Sequence, residues 1–177
     1  VVFASNASNL VPGVYVNSEN VYLYDRESKS MELVSDDDMD YISSAPRLSG
    51  DGRYVVYGGW ASDDKSYIFI WDRDSKTTVR LDHPVVDEGD VEGPFNSVIS
   101  NDGNYIAFDF GVVFYEGDAQ VWDSYVYVYN QQTGTTELVS RRDDNPDEPA
   151  SGFFPSISAD GRYIAFESED ALVASDA

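Results

Sequence analysis

The sequence predicts an all-β fold built from repeated four-stranded antiparallel sheets. Three observations support this: a nine-residue block occurs three times, a second strand-like segment alternates with it, and no stretch shows the 3.6-residue spacing of a helix. The chain has 177 residues, of which 42% are hydrophobic and 14% aromatic. That content is sufficient for a buried core in a domain of ordinary size.

The recurring block has the pattern Ser-x-Asp-Gly-x-Tyr followed by three apolar or aromatic residues. Asp-Gly between apolar segments is a strong hairpin signal, because glycine tolerates a positive φ and aspartate can bond the backbone two residues on. Each copy is therefore interpreted as strand, tight turn, strand, and its serine, aspartate and tyrosine as structural residues. The copies span residues 49–57, 100–108 and 158–166.

A third strand follows the two strands of each hairpin and leads through a polar turn to a short fourth strand, so that each repeat contains four strands. The strand before the turn covers residues 21–26, 68–73 and 126–131. This third strand is apolar on both of its faces, which must therefore both be covered. Small sheets stacked face to face around an axis, as in a β-propeller, meet that requirement. A β-sandwich is less favoured because it does not need a four-stranded repeat.

The predicted ring is incomplete and contains about three and a half blades. We expect complete blades at residues 46–82 and 94–140, and partial blades at residues 1–35 and 154–177. Rings usually need four to eight blades, and exposed strand edges tend to associate. Further blades of a longer chain, or other subunits, are therefore expected to complete the ring.

The repeated block, together with the aromatic strand that ends in Asp-Arg, resembles the WD-type repeat of TolB-like bacterial propellers over nearly the whole chain. The resemblance implies a non-catalytic scaffold of the periplasm or the cell exterior. Such a scaffold would bind a protein, a polysaccharide or another macromolecular partner through the variable loops between blades. On this interpretation the protein is not an enzyme.

Composition excludes several classes of partner and site. Lys and Arg number 11 against 33 Asp and Glu, giving a formal net charge of −22 that would repel nucleic acid and anionic membrane surfaces. No apolar run approaches the roughly 20 residues needed to span a bilayer. There is no cysteine, so disulfides and thiolate-based sites are excluded.

Two inter-blade segments carry alternating oxygen ligands, the arrangement that Ca²⁺ requires. The candidate ligands are Asp36, Asp38, Asp40, Asp143, Asn145 and Asp147. They predict a Ca²⁺ site and, as an alternative function, Ca²⁺-dependent adhesion or polysaccharide binding. No other cofactor is indicated, and solvated acidic loops are the competing interpretation.

Two tryptophans are candidates for partner binding and are expected to lie outside the regular strands. Trp60 follows a Gly-Gly pair, and Trp122 lies in the acidic segment 116–123, which is interpreted as a loop. An exposed tryptophan can stack on a sugar ring or on an apolar patch of a partner, although packing at the rim of a blade is the alternative. A propeller hydrolase with a metal in its channel is a further alternative. His83, the single histidine of the chain, is the only imidazole that such a site could use.

Overall fold

In a computed structural model the chain is described for residues 1–13, 19–35, 39–42, 45–63, 65–82, 90–116, 119–143, 145–146 and 148–173. The elements in these ranges are all β-strands, and no helix occurs among them. The prediction of an all-β protein is therefore confirmed. No helix that could cross a membrane is present in the described ranges.

The strands form four antiparallel sheets. The first contains β1 (Val2–Ser5), β2 (Asn20–Tyr24) and β3 (Met31–Leu33), and the second contains β4 (Met39–Ile42), β5 (Arg47–Leu48), β6 (Tyr54–Ala61), β7 (Ser66–Asp72) and β8 (Thr77–Leu81). The third contains β9 (Asp90–Ile99), β10 (Tyr105–Glu116), β11 (Ala119–Asn130) and β12 (Thr135–Leu138), and the fourth contains β13 (Phe153–Ile157) and β14 (Ile164–Glu167). Within the third sheet the strands lie in chain order, each beside the next.

Both tryptophans lie within strands, which corrects the expectation that they lie outside them. Strand β6 continues through Gly58 and Gly59 to Trp60, because both glycines keep their cross-strand partners on β7. Residues 119–123 belong to strand β11 instead of a loop, since the pairing of β10 with β11 continues without a shift to Glu116 and Ala119. The β-branched and aromatic residues at the end of β10 favour this extended pairing.

The sheets pack face to face through two buried clusters. The first joins Val21 and Leu23 of the first sheet to Tyr57 and Phe69 of the second. The second joins the opposite face of the second sheet to the third sheet, through Val56, Ile68, Ile70, Ile106, Phe108 and Phe110. Full burial of each such side chain contributes about 1.5–3 kcal/mol. The third strands β2 and β7 thus bury both faces, as the sequence predicts, whereas most side chains of β11 are only half-buried.

The repeated serine and aspartate build the turn between the first two strands of a blade. Ser49 Oγ donates to Asp51 Oδ1 at 2.6 Å, while the backbone N–H groups of Arg53 and Tyr54 donate to Asp51 Oδ1 and Ser49 Oγ at 3.0 and 2.9 Å. The same three bonds recur in the next two copies. Serine hydroxyls lower the pKa of the second and third of these aspartates. The roles of these residues are structural.

Asp72 and Arg53 form an ion pair whose contribution to stability should depend on pH. Arg53 donates to both carboxylate oxygens of Asp72, at 3.0 and 2.8 Å, and this lowers the pKa of Asp72 to about 2. Because the folded pKa lies below the ordinary value of 3.8, the contribution is complete above about pH 4 and is lost as the pH falls toward 2. Asp72→Asn should therefore lower the free energy of unfolding at pH 7 and have a much smaller effect at pH 2.

The expected decrease at pH 7 is small, because exposed ion pairs contribute little. Asparagine is a suitable replacement, since Asn130 occupies the same position in the third sheet and accepts the same local backbone bond that Asp72 accepts from Asp74. Urea unfolding of both proteins at several pH values provides the measurement. An equal difference at pH 7 and pH 2 would contradict the assignment to the ion pair.

Candidate functional site

The third sheet extends beyond its neighbours at one end. Its strands β10 and β11 have 12 residues each, whereas β6 and β7 of the second sheet have eight and seven. In an antiparallel sheet the hairpin end of β10 and β11 coincides with the start of β9. We call this end, which holds Asp90, Glu116 and Ala119, the linker face, because the segments between successive sheets start and finish there.

Four aromatic side chains form a continuous surface toward the linker face, between the third and fourth sheets. We call them the aromatic shelf: Phe95, Trp122, Phe153 and Phe154. Ring centroids are 5.8 Å apart for Phe95 and Trp122, 5.7 Å for Trp122 and Phe153, and 6.5 Å for Phe153 and Phe154. Phe95, Trp122 and Phe154 are 37%, 49% and 61% exposed. Contiguous exposed aromatic surface of this kind is typical of a binding site.

Two β-bulges determine the directions in which the side chains of Phe95 and Phe154 project. In β9, Asn96 lies opposite Asp109 and Pro94 lies opposite Phe110, so that Phe95 is the extra residue. A second irregularity lies in β13 between Phe153 and Ser156, and within it Phe154 has a φ of 51°. A positive φ is costly for a residue with a Cβ atom, and bulges redirect side chains beside functional sites.

A buried carboxylate holds both bulges in place. Asp109, only 1% exposed, accepts hydrogen bonds from Asn96 N at 2.7 Å, Asn96 Nδ2 at 2.8 Å and Phe154 N at 3.0 Å. The first two bonds lie within the third sheet, and the third connects it to the fourth. The side chain of Asp109 thus fixes the positions from which Phe95 and Phe154 project.

The aromatic shelf occupies space that is open because Gly111 has no side chain. A Cβ atom at Gly111 would overlap the ring of Phe95 and lie 3.2 Å from Trp122 Nε1. When the repeats are aligned on Tyr54 and Tyr105, the residue at this position in the second sheet is Trp60. Trp60 is half-buried, and its Nε1 lies 3.7 Å from the Cβ position of Gly93 on the third sheet. Trp60 therefore fills one inter-sheet gap, whereas Gly111 leaves the next gap open.

The shelf forms one wall of a cleft of about 550 Å³ whose other wall carries carboxylates. Those carboxylates belong to Asp123, Glu167, Glu169 and Asp170. A smaller cavity of about 260 Å³ shares Trp122, Phe153 and Phe154 with this cleft, and Phe95, Asn96, Asp109 and Ser124 complete its lining. The site thus combines aromatic, acidic and hydroxyl groups in two spaces with common lining residues.

Among the described residues, no cation forms an ion pair with the carboxylates of the acidic wall. Burial raises the pKa of Asp123, and the nearby carboxylates of Asp170 and Glu169 raise it further. Burial and Asp123 together raise the pKa of Tyr125 to about 12. The ion pairs formed between described residues do not include Asp123, Glu167, Glu169 or Asp170. A positively charged group would therefore be attracted to this wall.

The predicted Ca²⁺ ligands are only partly covered by the structure. Asp36, Asp38 and Asp147 lie outside the described residues, as do His83 and the side chain of Asp40. Asp143 is exposed, and its N–H donates to Leu172 O at 2.9 Å, while Asn145 Nδ2 donates to Glu148 Oε2 at 3.1 Å. The described part of the chain contains no group of three or more His, Asp or Glu side chains that could hold a metal. The Ca²⁺ site stays a prediction.

Comparison with known proteins supports the fold. No family model matches the chain, and no curated protein matches it. Among solved structures, the tricorn protease is similar with a TM-score of 0.59 and 13% identity over 84% of this chain. TolB from Acinetobacter baumannii is similar with a TM-score of 0.51 and 19% identity over 88% of this chain. The chain spans 13% of the length of the first and 34% of the second. At these identities the likeness concerns the fold, which is an all-β propeller similar to that of TolB, with its sheets forming part of a ring.

Proposed function

We propose that the chain is a non-catalytic propeller scaffold that binds a partner protein through its linker face, with the aromatic shelf at the centre of the contact. The observation that carries the proposal is the exposure of the shelf on a rigid framework of paired strands. Aromatic side chains dominate the energetics of protein interfaces, especially where surrounding polar groups form a rim. Here the carboxylates of the cleft provide that rim.

A structural role for the most buried acid at the site supports a binding function over a catalytic one. All three hydrogen bonds of Asp109 go to amide groups that shape the shelf. The bulges and the positive φ of Phe154 are costs that the fold bears at the surface, where a contact with a partner would offset them. A location in the bacterial envelope or outside the cell belongs to the same proposal and is supported by the likeness of fold to TolB.

Changing the shelf should abolish capture of the partner. Trp122→Ser combined with Phe154→Ser removes two exposed anchors, and aromatic anchors of this kind often contribute 2 kcal/mol or more to binding, about thirtyfold in affinity. We therefore expect immobilised wild-type protein to retain partner proteins from an envelope extract of the source organism, and the double variant to retain at least tenfold less.

Tyr163→Ser is the matched control. Tyr163 is 62% exposed, similar to Phe154, but it lies at the opposite end of the sheets beside the third Asp-Gly turn. Capture by this variant should equal that by the wild type, and urea unfolding should show that all three proteins are folded. Equal capture by wild type and the shelf variant would exclude the shelf as the contact.

A further inference from the structure

The cavity beside the shelf contains a buried hydroxyl group without a partner. Ser124 is 1% exposed, and its Oγ forms no hydrogen bond with any described residue, although its backbone N–H donates to Asp123 Oδ1 at 2.7 Å. A buried hydroxyl is usually hydrogen-bonded. Ser124 lines the smaller cavity together with Asp109, so a hydroxyl oxygen and a carboxylate lie directly behind its largely aromatic surface.

The carboxylate of Asp109 can accept a further hydrogen bond. The oxygens of an ionised carboxylate offer about four lone-pair positions, and Asp109 uses three of them. No ion pair between described residues involves Asp109. A ligand that enters the cavity should therefore be flat enough to lie between aromatic rings, positively charged, and able to donate several hydrogen bonds.

These requirements describe a guanidinium group. It is planar, stacks on aromatic faces, carries five N–H donors and is more weakly hydrated than an ammonium group. The cavity of about 260 Å³ is of a size to admit one long side chain, and the adjoining acidic cleft would attract basic residues on either side of it. The shelf supplies the rings, Ser124 an acceptor and Asp109 the compensating charge.

We infer that the partner presents an arginine-containing basic segment, whose guanidinium group enters the cavity against Trp122 and donates to Ser124 Oγ while the flanking residues cross the acidic cleft. This inference rests on the proposed function and specifies the chemistry of the partner. A lysine fits less well, because its ammonium group is a point charge that cannot stack as a plane. A neutral sugar could stack on the shelf but would leave the acidic wall uncompensated.

The test uses the full chain and four probes. They are a capped pentapeptide Gly-Arg-Gly-Arg-Gly, the same peptide with both arginines replaced by lysine, the same peptide with both replaced by citrulline, and the neutral oligosaccharide cellohexaose. Binding is followed by the indole N–H signal of Trp122 in NMR spectra, assigned with Trp122→Phe. We expect the arginine peptide to move this signal, the lysine peptide to bind at least threefold more weakly, and the citrulline peptide at least tenfold more weakly.

Two single variants locate the contact. Ser124→Ala removes the free hydroxyl without changing the charge and should weaken the arginine peptide at least threefold. Asp123→Asn should weaken it several-fold by reducing the charge of the cleft, whereas Glu27→Gln, which makes the same change of charge at a distant exposed residue, should have no effect. Equal binding of the arginine and citrulline peptides, or binding of the oligosaccharide alone, would overturn the inference.

The capture experiment separates this inference from the proposed function. If capture depends on the shelf but the arginine peptide neither binds nor competes with the captured protein, the shelf is a contact for a partner of other chemistry, and this inference fails alone. If the peptide binds as expected and competes, the inference is supported. If the peptide binds while capture does not depend on the shelf, the proposed function is overturned and, with it, the role assigned here to the arginine site.

Discussion

Replacing Gly103 by alanine is expected to lower the free energy of unfolding by about 3 kcal/mol, from two physical causes. Gly103 has a φ of 76°, a conformation that costs a residue with a Cβ atom about 1–2 kcal/mol. The added methyl group would also overlap the ring of Tyr54. Tyr54 belongs to the second sheet and Gly103 to the turn before β10, so the ring can move only by disturbing the contact between sheets, at about 1–3 kcal/mol.

Gly52→Ala is the control that separates the two causes. Gly52 occupies the same turn position in the preceding copy of the repeat and has a φ of 77°, but no atom lies within 4 Å of its Cβ position. This variant should lose about 1–2 kcal/mol, the backbone cost alone. Urea unfolding monitored by tryptophan fluorescence measures both. Equal losses at positions 52 and 103 would show that the ring of Tyr54 adapts freely, and that this contact does not hold the sheets together.

The repeated hairpins could be predicted from the sequence because their signals are local. The turn depends on residues at most five positions apart, such as Ser49 and Tyr54, and the same residues return in each copy. The stacking of the sheets could also be predicted, because the third strand is apolar on both faces and each face must be buried. The lengths of β10 and β11 were not predicted, because the acidic residues of segment 116–123 favour a loop, whereas the hairpin signal there, Gly117-Asp118, is only two residues long.

Only part of the candidate site could be predicted from the sequence. Trp122 could be selected as an aromatic residue among acids, but Trp60, selected because it follows a Gly-Gly pair, packs near Gly93 on the next sheet. Phe95 and Phe154 project because of bulges that Asp109 fixes across 13 and 45 residues of sequence, and no local pattern reveals such bonds. One signal was present in the sequence: the second sheet has a tryptophan where the third has Gly111, and this difference marks the gap that is open.

The second large effect is expected at Asp109, because its carboxylate joins two sheets and both bulges of the shelf. Asp109→Leu preserves approximate size but removes the acceptor, which leaves the N–H groups of Asn96 and Phe154 without a partner. Each unsatisfied group in a buried position costs about 1–3 kcal/mol, so the loss of both partners should lower the free energy of unfolding by about 2–6 kcal/mol. Hydrogen exchange at the amide of Phe154 should accelerate as well, since that bond is the tie between the sheets.

Asp109→Asn distinguishes the connection between sheets from the bonds within the third sheet. Asn96 can rotate its amide so that an asparagine at position 109 still bonds both its backbone N–H and its side chain, but the new NH₂ group then faces the N–H of Phe154, and two donors cannot pair. The loss of stability should therefore be smaller than for leucine, about 1–2 kcal/mol, with exchange accelerated at Phe154 and little changed at Asn96. Retained protection of Phe154 in both variants would mean that the positive φ of this residue is held by its own sheet. In that case the shelf would not depend on the buried carboxylate.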